Sequence, residues 1–125
     1  MKPLQLQKGD RIGIVAPASP CPMKKWKKAV SFLTLLGYEV ELGESVYHRV
    51  GYLSGSDELR AKDLNQMFAD PTIKAIFCLR GGYGVTRILP FLDYEQIQKQ
   101  PKILIGYSDI TALHLAIHQT VGLTT

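Results

Sequence analysis

Short runs of apolar residues alternate along the chain with longer segments in which an apolar residue recurs every three or four positions. The runs predict strands, and the longer period predicts amphipathic helices. Because the two alternate, the pattern indicates βαβ units and a parallel sheet within one domain. The predicted strands are residues 11–16, 38–42, 73–79 and a buried 103–105, with a fifth beginning at 123–125, and helices are predicted over 22–36, 85–89, 93–100 and 108–119.

One further helix is marked by residues typical of helix ends. Ser56 is a suitable N-cap, and Asp57 and Glu58 follow it in the first turn, where negative charge is favourable. Asp70-Pro71 ends this helix, and Gly37 supplies a left-handed end for the helix over 22–36. The buried stripe of the helix that begins after Ser56 is predicted to be Ala61, Leu64, Met67 and Phe68. The polar segment 43–55 between glycines predicts a long loop, of the kind that is often functional.

Composition excludes several classes of protein. The 125 residues are 46% hydrophobic and 21% charged, which is typical of one globular domain and excludes a collagenous or low-complexity chain. No apolar run is long enough to cross a bilayer, and residues 1–10 contain no signal-peptide core, so no membrane association is predicted and the cytoplasm is expected. Cys21 and Cys78 are too few for a disulfide scaffold and are expected to be reduced.

The net charge of +4 is concentrated in one run, Lys24, Lys25, Lys27 and Lys28, around Trp26. Such a run occurs in patches that bind anions or nucleic acids. It also occurs on the solvated face of an amphipathic helix, with the lysine stems lying along apolar surface. Since no second basic and aromatic pattern follows, the solvated face is favoured and no nucleic-acid partner is predicted.

The clearest candidate for chemistry is the segment Gly106-Tyr107-Ser108-Asp109, which lies between a predicted strand and a predicted helix. This order is typical of a nucleophile elbow, in which the serine hydroxyl is held above the sheet and the next N–H binds an oxyanion. The usual second glycine is replaced by Ile110, so the pattern is only half met. The alternative is that Ser108 only caps the helix.

A second candidate is the glycine-rich turn Arg80-Gly81-Gly82-Tyr83-Gly84, which also follows a strand. Loops after the carboxyl ends of parallel strands meet at one sheet edge, where ligands bind. The turn could therefore donate a backbone N–H beside Ser108, bind a phosphate, or be an ordinary turn. Both nucleotide motifs fail, because Arg87 stands where the last glycine would be and no G-K-[ST] follows.

The three histidines do not predict a metal site or a base. His114 and His118 are four apart on one predicted helix, a spacing that metals use, but no glutamate lies between them as in H-E-x-x-H and no third ligand is near in sequence. His114 is about 9 Å along the helix from Ser108 and points to another face. His48 lies in the long loop, so no general base for Ser108 is evident.

Taken together, these motifs resemble the N-terminal domain of the LD-carboxypeptidase family, serine peptidases that include the microcin C immunity peptidase. The matching segments follow in family order over nearly the whole chain. They are residues 8–17 (KGDRIGIVAP), 36–40 (LGYEV), 51–60 (GYLSGSDELR), 63–71 (DLNQMFADP), 80–84 (RGGYG) and 105–111 (IGYSDIT).

The resemblance implies an α/β fold with an open, mostly parallel sheet and helices on both faces, a flavodoxin-like or amidotransferase-like three-layer sandwich. It implies a cytosolic hydrolase that cuts an amide between an L and a D centre, removing the terminal D-alanine of murein tetrapeptides in cell-wall recycling. The family works with a Ser-Glu-His triad and no metal or cofactor. By motif, Ser108 would be the nucleophile, and the N–H groups of Asp109 and of Gly81 or Gly82 would form the oxyanion hole.

In the family, the Glu and His of the triad come from a second, C-terminal domain, which residues 1–125 do not include. The chain is then expected to be a nucleophile-bearing domain that is inactive alone and has apolar surface at the site edge and around residues 123–125. This surface predicts self-association as a homo-oligomer, or else disorder of the last few residues. Two alternatives stay open: an immunity-type peptidase acting on a peptidyl-nucleotide antibiotic, and a non-catalytic domain that binds a small anion. Only a peptidase should depend on Ser108.

Overall fold

The computed structural model describes all of residues 1–125. Four parallel strands form one sheet in the order β2-β1-β3-β4. They are β1 (Arg11–Val15), β2 (Glu39–Leu42), β3 (Ile73–Cys78) and β4 (Ile103–Ile105). The predicted parallel α/β sheet is therefore confirmed, with strand bounds within one residue of those expected.

Five α-helices connect and follow the strands: α1 (Met23–Leu35), α2 (Asp57–Ala69), α3 (Val85–Ile88), α4 (Tyr94–Lys99) and α5 (Thr111–Val121). The predicted helix ends form as expected, because Ser56 Oγ accepts the Leu59 N–H at 3.1 Å and Gly37 has a φ of +96°. The last helix differs from its prediction. It begins at Thr111, after a single 3₁₀ turn over Ser108–Ile110.

Helices cover both faces of the sheet, as expected for a three-layer sandwich. On one face α2, α3, α4 and α5 pack in a single apolar cluster with β3 and β4. On the other face α1 packs Trp26 and Leu33 against Ile12 and Ile14 of β1. The α2 members of the first cluster include the predicted stripe of Ala61, Leu64, Met67 and Phe68.

Two predictions are wrong, one about the burial of β4 and one about residues 123–125. β4 is not wholly buried, because Ile105 faces the side of the sheet where α1 lies over β1 and is 45% exposed. Residues 123–125 form no strand. Gly122 ends α5 in the left-handed conformation, Leu123 is buried, and the Thr124 N–H donates to the Met1 carbonyl at 2.8 Å. This segment is tied to the N-terminus and is not a free strand edge, while self-association stays a prediction.

The lysine run lies on a solvated helix face and the cysteines are free thiols, as the sequence predicted. Lys24, Lys25, Lys27 and Lys28 are exposed around the buried Trp26 on α1. Both cysteines are free. Cys78 lies in the core, where burial raises the pKa of its thiol to about 12. No helix is both long and apolar enough to cross a membrane.

Lys102 is a buried cation just before β4, at the amino-terminal edge of the sheet. Its ammonium donates to the Met67 carbonyl at 2.6 Å and to the Asp70 carbonyl, at the end of α2. Burial lowers the pKa of Lys102 from 10.5 to about 8. The unfolded chain therefore holds more protons than the folded chain between these two values, so stability from this residue is gained as pH rises through the window.

We expect the stability of the chain relative to its Lys102→Met variant to increase between about pH 8 and pH 10.5. Urea unfolding midpoints of the two proteins, measured side by side across this range, test the expectation. Comparing the two proteins removes the contribution of all other titrating groups. A constant difference would show that the Lys102 ammonium has an ordinary pKa in the folded chain.

Candidate active site

Three loops meet at the carboxyl edge of the sheet because β1, β3 and β4 are parallel. Residues 16–20 follow β1, residues 80–84 follow β3, and residues 106–110 follow β4. The long loop 43–55 also reaches this edge, since the Ser54 N–H donates to the Ala18 carbonyl at 2.9 Å. The candidate residues of the sequence analysis lie in these loops.

Ser108 occupies a strained position in the turn after β4. It is exposed and has a φ of +59°, the one positive φ among the non-glycine residues. The left-handed region is sparsely populated by residues with a Cβ and costs roughly 1–2 kcal/mol. The predicted strand-to-helix geometry is present, with the hydroxyl on the surface of the carboxyl edge.

The alternative in which Ser108 only caps the helix is wrong. Tyr107 is the residue preceding the 3₁₀ turn, and neither that turn nor α5 receives a capping hydrogen bond from a side chain. A capping serine has an extended backbone and accepts an N–H two or three residues later. The conformation of Ser108 therefore needs another explanation than helix capping.

Gly81 packs directly against Ser108. A Cβ placed on Gly81 would lie 2.7 Å from Ser108 Cβ, 2.8 Å from the Asp109 backbone nitrogen and 2.9 Å from Ser108 Oγ. Real Cβ atoms essentially never lie within 3.0 Å of such neighbours, so only glycine allows the two turns to approach this closely. The N–H groups of Gly81 and Gly82 donate to no acceptor of the chain. Backbone donors and the serine hydroxyl thus share one small region of the surface.

Ser19, which the sequence analysis did not select, supports the glycine turn from the β1 loop. Its Oγ accepts the Tyr83 N–H at 3.2 Å, and its own N–H donates to the Gly81 carbonyl at 3.2 Å. Gly82, with a φ of +99°, lies so close that a Cβ there would overlap the Ser19 hydroxyl. The available signal was its position directly after a predicted strand, at the carboxyl edge.

Asp109 links the nucleophile turn to the glycine turn. Its carboxylate accepts the Val85 N–H at 3.0 Å, at the start of α3. The side chain thereby holds the beginning of α3, which follows the glycine turn, against the residue next to Ser108. From the sequence, only the backbone N–H of Asp109 was predicted to have a role.

A buried arginine, Arg60, was also missed. Its side chain is fully buried beneath the same loops, and burial lowers the pKa of its guanidinium, an effect that the neighbouring Asp57 carboxylate opposes. The available signal was its place on α2: it lies four residues before Leu64 and so on the helix face predicted to be apolar.

The histidines contact other parts of the chain. His114 Nε2 is 3.0 Å from the Gly106 carbonyl and its Nδ1 is 2.8 Å from Thr125 Oγ1. His118 Nδ1 is 3.2 Å from the Leu123 carbonyl, and His48 Nε2 is 3.6 Å from Glu44 Oε1. None of these histidine nitrogens is hydrogen-bonded to Ser108. No three His, Cys, Asp or Glu side chains converge in a way that could hold a metal ion.

Two tyrosines form an aromatic wall at the glycine turn. The rings of Tyr52, from the long loop, and Tyr83, from the glycine turn, have centroids 5.7 Å apart and planes inclined at 52°. Both remain about half exposed. The predicted functional loop therefore contributes an aromatic surface beside the glycine turn. A strained serine beside free backbone N–H groups suits covalent acyl chemistry, once a base is supplied.

Comparison with known proteins gives a consistent result. The model of the LD-carboxypeptidase N-terminal domain matches residues 12–125. The chain is 50% identical over 124 residues to a probable murein peptide carboxypeptidase of Bacillus subtilis, covering 99% of this chain and 39% of that protein. It is 40% identical over 110 residues to the murein tetrapeptide carboxypeptidase of Pseudomonas aeruginosa, covering 87% of this chain and 36% of that protein.

A solved structure agrees with these sequences. The microcin C7 self-immunity protein MccF superimposes with a TM-score of 0.93 at 35% identity, covering 97% of this chain and 37% of that protein. The chain thus spans between 36% and 39% of the length of these relatives. The family match includes the turn at Ser108 and the glycine turn at residues 80–84. The chain belongs to the LD-carboxypeptidase family.

Proposed function

We propose that Ser108 is the nucleophile of a serine-type LD-carboxypeptidase that removes the terminal D-alanine from murein tetrapeptides in cell-wall recycling. The observation that carries the proposal is the exposed, strained Ser108 packed against Gly81. Strain of this kind persists where the surrounding structure enforces it, as it does in nucleophile elbows. The murein carboxypeptidases among the relatives favour this substrate class.

In the proposed reaction, Ser108 Oγ attacks the carbonyl carbon that precedes the terminal D-alanine. The carbonyl oxygen becomes an oxyanion, which the backbone N–H groups of Asp109 and of Gly81 or Gly82 bind. The serine proton passes to a general base and then to the nitrogen of D-alanine as the C–N bond breaks. Water, deprotonated by the same base, then releases the shortened peptide and restores Ser108.

We infer that the base is a histidine oriented by a glutamate, both supplied from outside residues 1–125. Two observations support this. The ring nitrogens of His114 and His118 contact chain groups other than Ser108, and the relatives are more than twice as long as the chain. In this proposal residues 1–125 are the nucleophile-bearing domain, and their compartment is the cytoplasm, where recycled murein peptides are processed.

A second candidate is an immunity-type peptidase that cleaves a peptidyl-nucleotide antibiotic. The close superposition with MccF favours it. Both candidates use the same serine, and the aromatic wall of Tyr52 and Tyr83 would suit either ligand. A binding domain without catalysis is the remaining alternative, and it would not depend on the Ser108 hydroxyl.

The test is a chimera in which this chain replaces the matching segment of the Bacillus subtilis relative, to which it is 50% identical. We expect the chimera to release D-alanine from a murein tetrapeptide and not to release L-alanine from the diastereomer that ends in L-alanine. Faster cleavage of an aminoacyl sulfamoyl nucleoside would favour the immunity-type function. A folded chimera that cleaves neither substrate would contradict both.

A further inference from the structure

Arg60 is the one charged side chain that is completely buried, and it lies between the loops that form the site. Its Nη1 donates to the Pro17 carbonyl at 2.8 Å and to the Gly84 carbonyl at 2.9 Å. Its Nε donates to the Gly55 carbonyl at 3.2 Å. One guanidinium therefore joins the β1 loop, the glycine turn and the end of the long loop.

The charge of Arg60 is balanced by Asp57, one helical turn earlier on α2. Asp57 accepts a hydrogen bond from Arg60 Nη2, and it also accepts one at 3.2 Å from Nε of Arg87 on α3. The carboxylate thus links the buried guanidinium to the helix that follows the glycine turn. Each of the three guanidinium nitrogens therefore has an acceptor, and removing the guanidinium would leave one carboxylate and three carbonyls without their donor.

Gly84 shows how closely the glycine turn is built on this guanidinium. Its φ is +124°, and a Cβ there would lie 2.6 Å from Arg60 Nη1. The other end of the turn meets the serine, because Gly81 packs against Ser108. The turn is therefore held at Gly84 by Arg60 and faces the nucleophile at Gly81, three residues away.

We propose that Arg60 is a positioning residue that sets the distance between the Gly81-Gly82 N–H groups and Ser108 by fixing Gly84 to Pro17. This inference rests on the proposed role of Ser108. Arg60 lies beneath the loops and touches no reacting atom, so it acts through the backbone of the glycine turn. Its effect belongs to the chemical step, because a donor must match the position of the oxyanion that forms there.

Lysine cannot replace Arg60 in this role. A lysine keeps the positive charge but carries its three donors on one nitrogen, whereas the guanidinium directs separate N–H groups towards four partners. Arg60→Lys should therefore keep the charge balance with Asp57 and release one or more of the carbonyls of Pro17, Gly84 and Gly55. The glycine turn would then shift relative to Ser108.

The test compares kcat and KM for D-alanine release by the chimera and its Arg60→Lys variant. We expect kcat to fall roughly 10- to 100-fold, since a displacement of about 1 Å can cost about 100-fold, while KM changes by less than about threefold. The matched control is Lys102→Met, which removes the other buried cation. Lys102 donates to carbonyls at the end of α2, at the opposite edge of the sheet from the loops that Arg60 joins. That variant should keep the kcat of its folded fraction.

The outcomes separate this inference from the proposed function. An unsubstituted chimera that folds but releases no D-alanine would contradict the proposed function itself. If the chimera is active and its Arg60→Lys variant keeps its kcat, whether or not KM changes, the positioning role would be overturned. If Arg60→Lys does not fold, the same comparison is made with Asp57→Asn. This variant keeps the guanidinium and weakens its anchoring by removing the charge of its carboxylate partner. A roughly three- to tenfold lower kcat at unchanged KM would support the role, and an unchanged kcat would overturn it.

Discussion

Changing Ser108 to alanine in the chimera should lower kcat for D-alanine release by roughly 10⁴-fold or more. In the proposed reaction the Ser108 hydroxyl forms the covalent bond to the substrate, and the backbone donors beside it cannot replace a nucleophile. Alanine also fits the site, because it removes one oxygen and adds no contact. We therefore expect an unchanged circular dichroism spectrum and an unchanged KM.

Ser31→Ala is the matched control, because Ser31 is an exposed serine on α1, far along the chain from the turn. It should leave kcat unchanged. The isolated chain is a second comparison: it should release no measurable D-alanine, since no histidine is hydrogen-bonded to Ser108. Turnover by the isolated chain that depends on His48 or His114 would show that the base lies within residues 1–125. A Ser108→Ala chimera with more than a tenth of the activity would exclude Ser108 as the nucleophile.

The fold was predictable because its signals are local. Apolar runs and helical periods are properties of adjacent residues, and so are the helix ends at Ser56 and Gly37. Their alternation then leaves a parallel sheet as the simplest arrangement. The bounds of the strands and of most helices follow to within one or two residues.

The wrong predictions concern segments whose burial or pairing depends on residues far away in the sequence. The run Ile103–Ile105 is as apolar as a central strand, but the exposure of Ile105 depends on where α1 lies. Likewise, residues 123–125 resemble the start of a strand, yet the Met1 carbonyl accepts the Thr124 N–H and the segment stays outside the sheet. No pattern within either segment contains this information.

The same distinction between local and remote information applies to the residues of the candidate site. Ser108 and the Gly81-Gly82 turn could be selected because each follows a strand directly, and parallel strands bring such loops together. Ser19 also follows a strand, but neither its role nor that of Arg60 could be assigned, because their partners are remote in sequence. Arg60 donates to carbonyls 43 and 24 residues away, and Ser19 accepts the Tyr83 N–H 64 residues away. A charge on the apolar face of α2 was a signal of burial, but it did not reveal what the charge binds.

Changing Gly81 to alanine is the other substitution from which we expect a large effect, a fall in kcat of roughly 100-fold or more. The added methyl group would lie 2.7 Å from Ser108 Cβ, 2.9 Å from its Oγ and 2.8 Å from the Asp109 nitrogen. Two of these three atoms cannot move away by a side-chain rotation, because one is backbone and one is a Cβ. The two turns must therefore separate, which displaces the nucleophile from the oxyanion donors. Loss of a single oxyanion donor costs about 10²- to 10³-fold.

Gly9→Ala is the matched control, since it places the same methyl group in a turn before β1 where no atom lies within 4 Å. Gly9 has a φ of +89°, so this control carries a conformational cost of roughly 1 kcal/mol that Gly81→Ala does not. If a destabilising glycine substitution were by itself enough to lower activity, Gly9→Ala would also lose kcat. We expect it to lower the melting temperature and keep kcat, and Gly81→Ala to lose kcat in the folded protein. A Gly81→Ala chimera within about threefold of the unsubstituted kcat would show that the glycine turn and Ser108 do not act together.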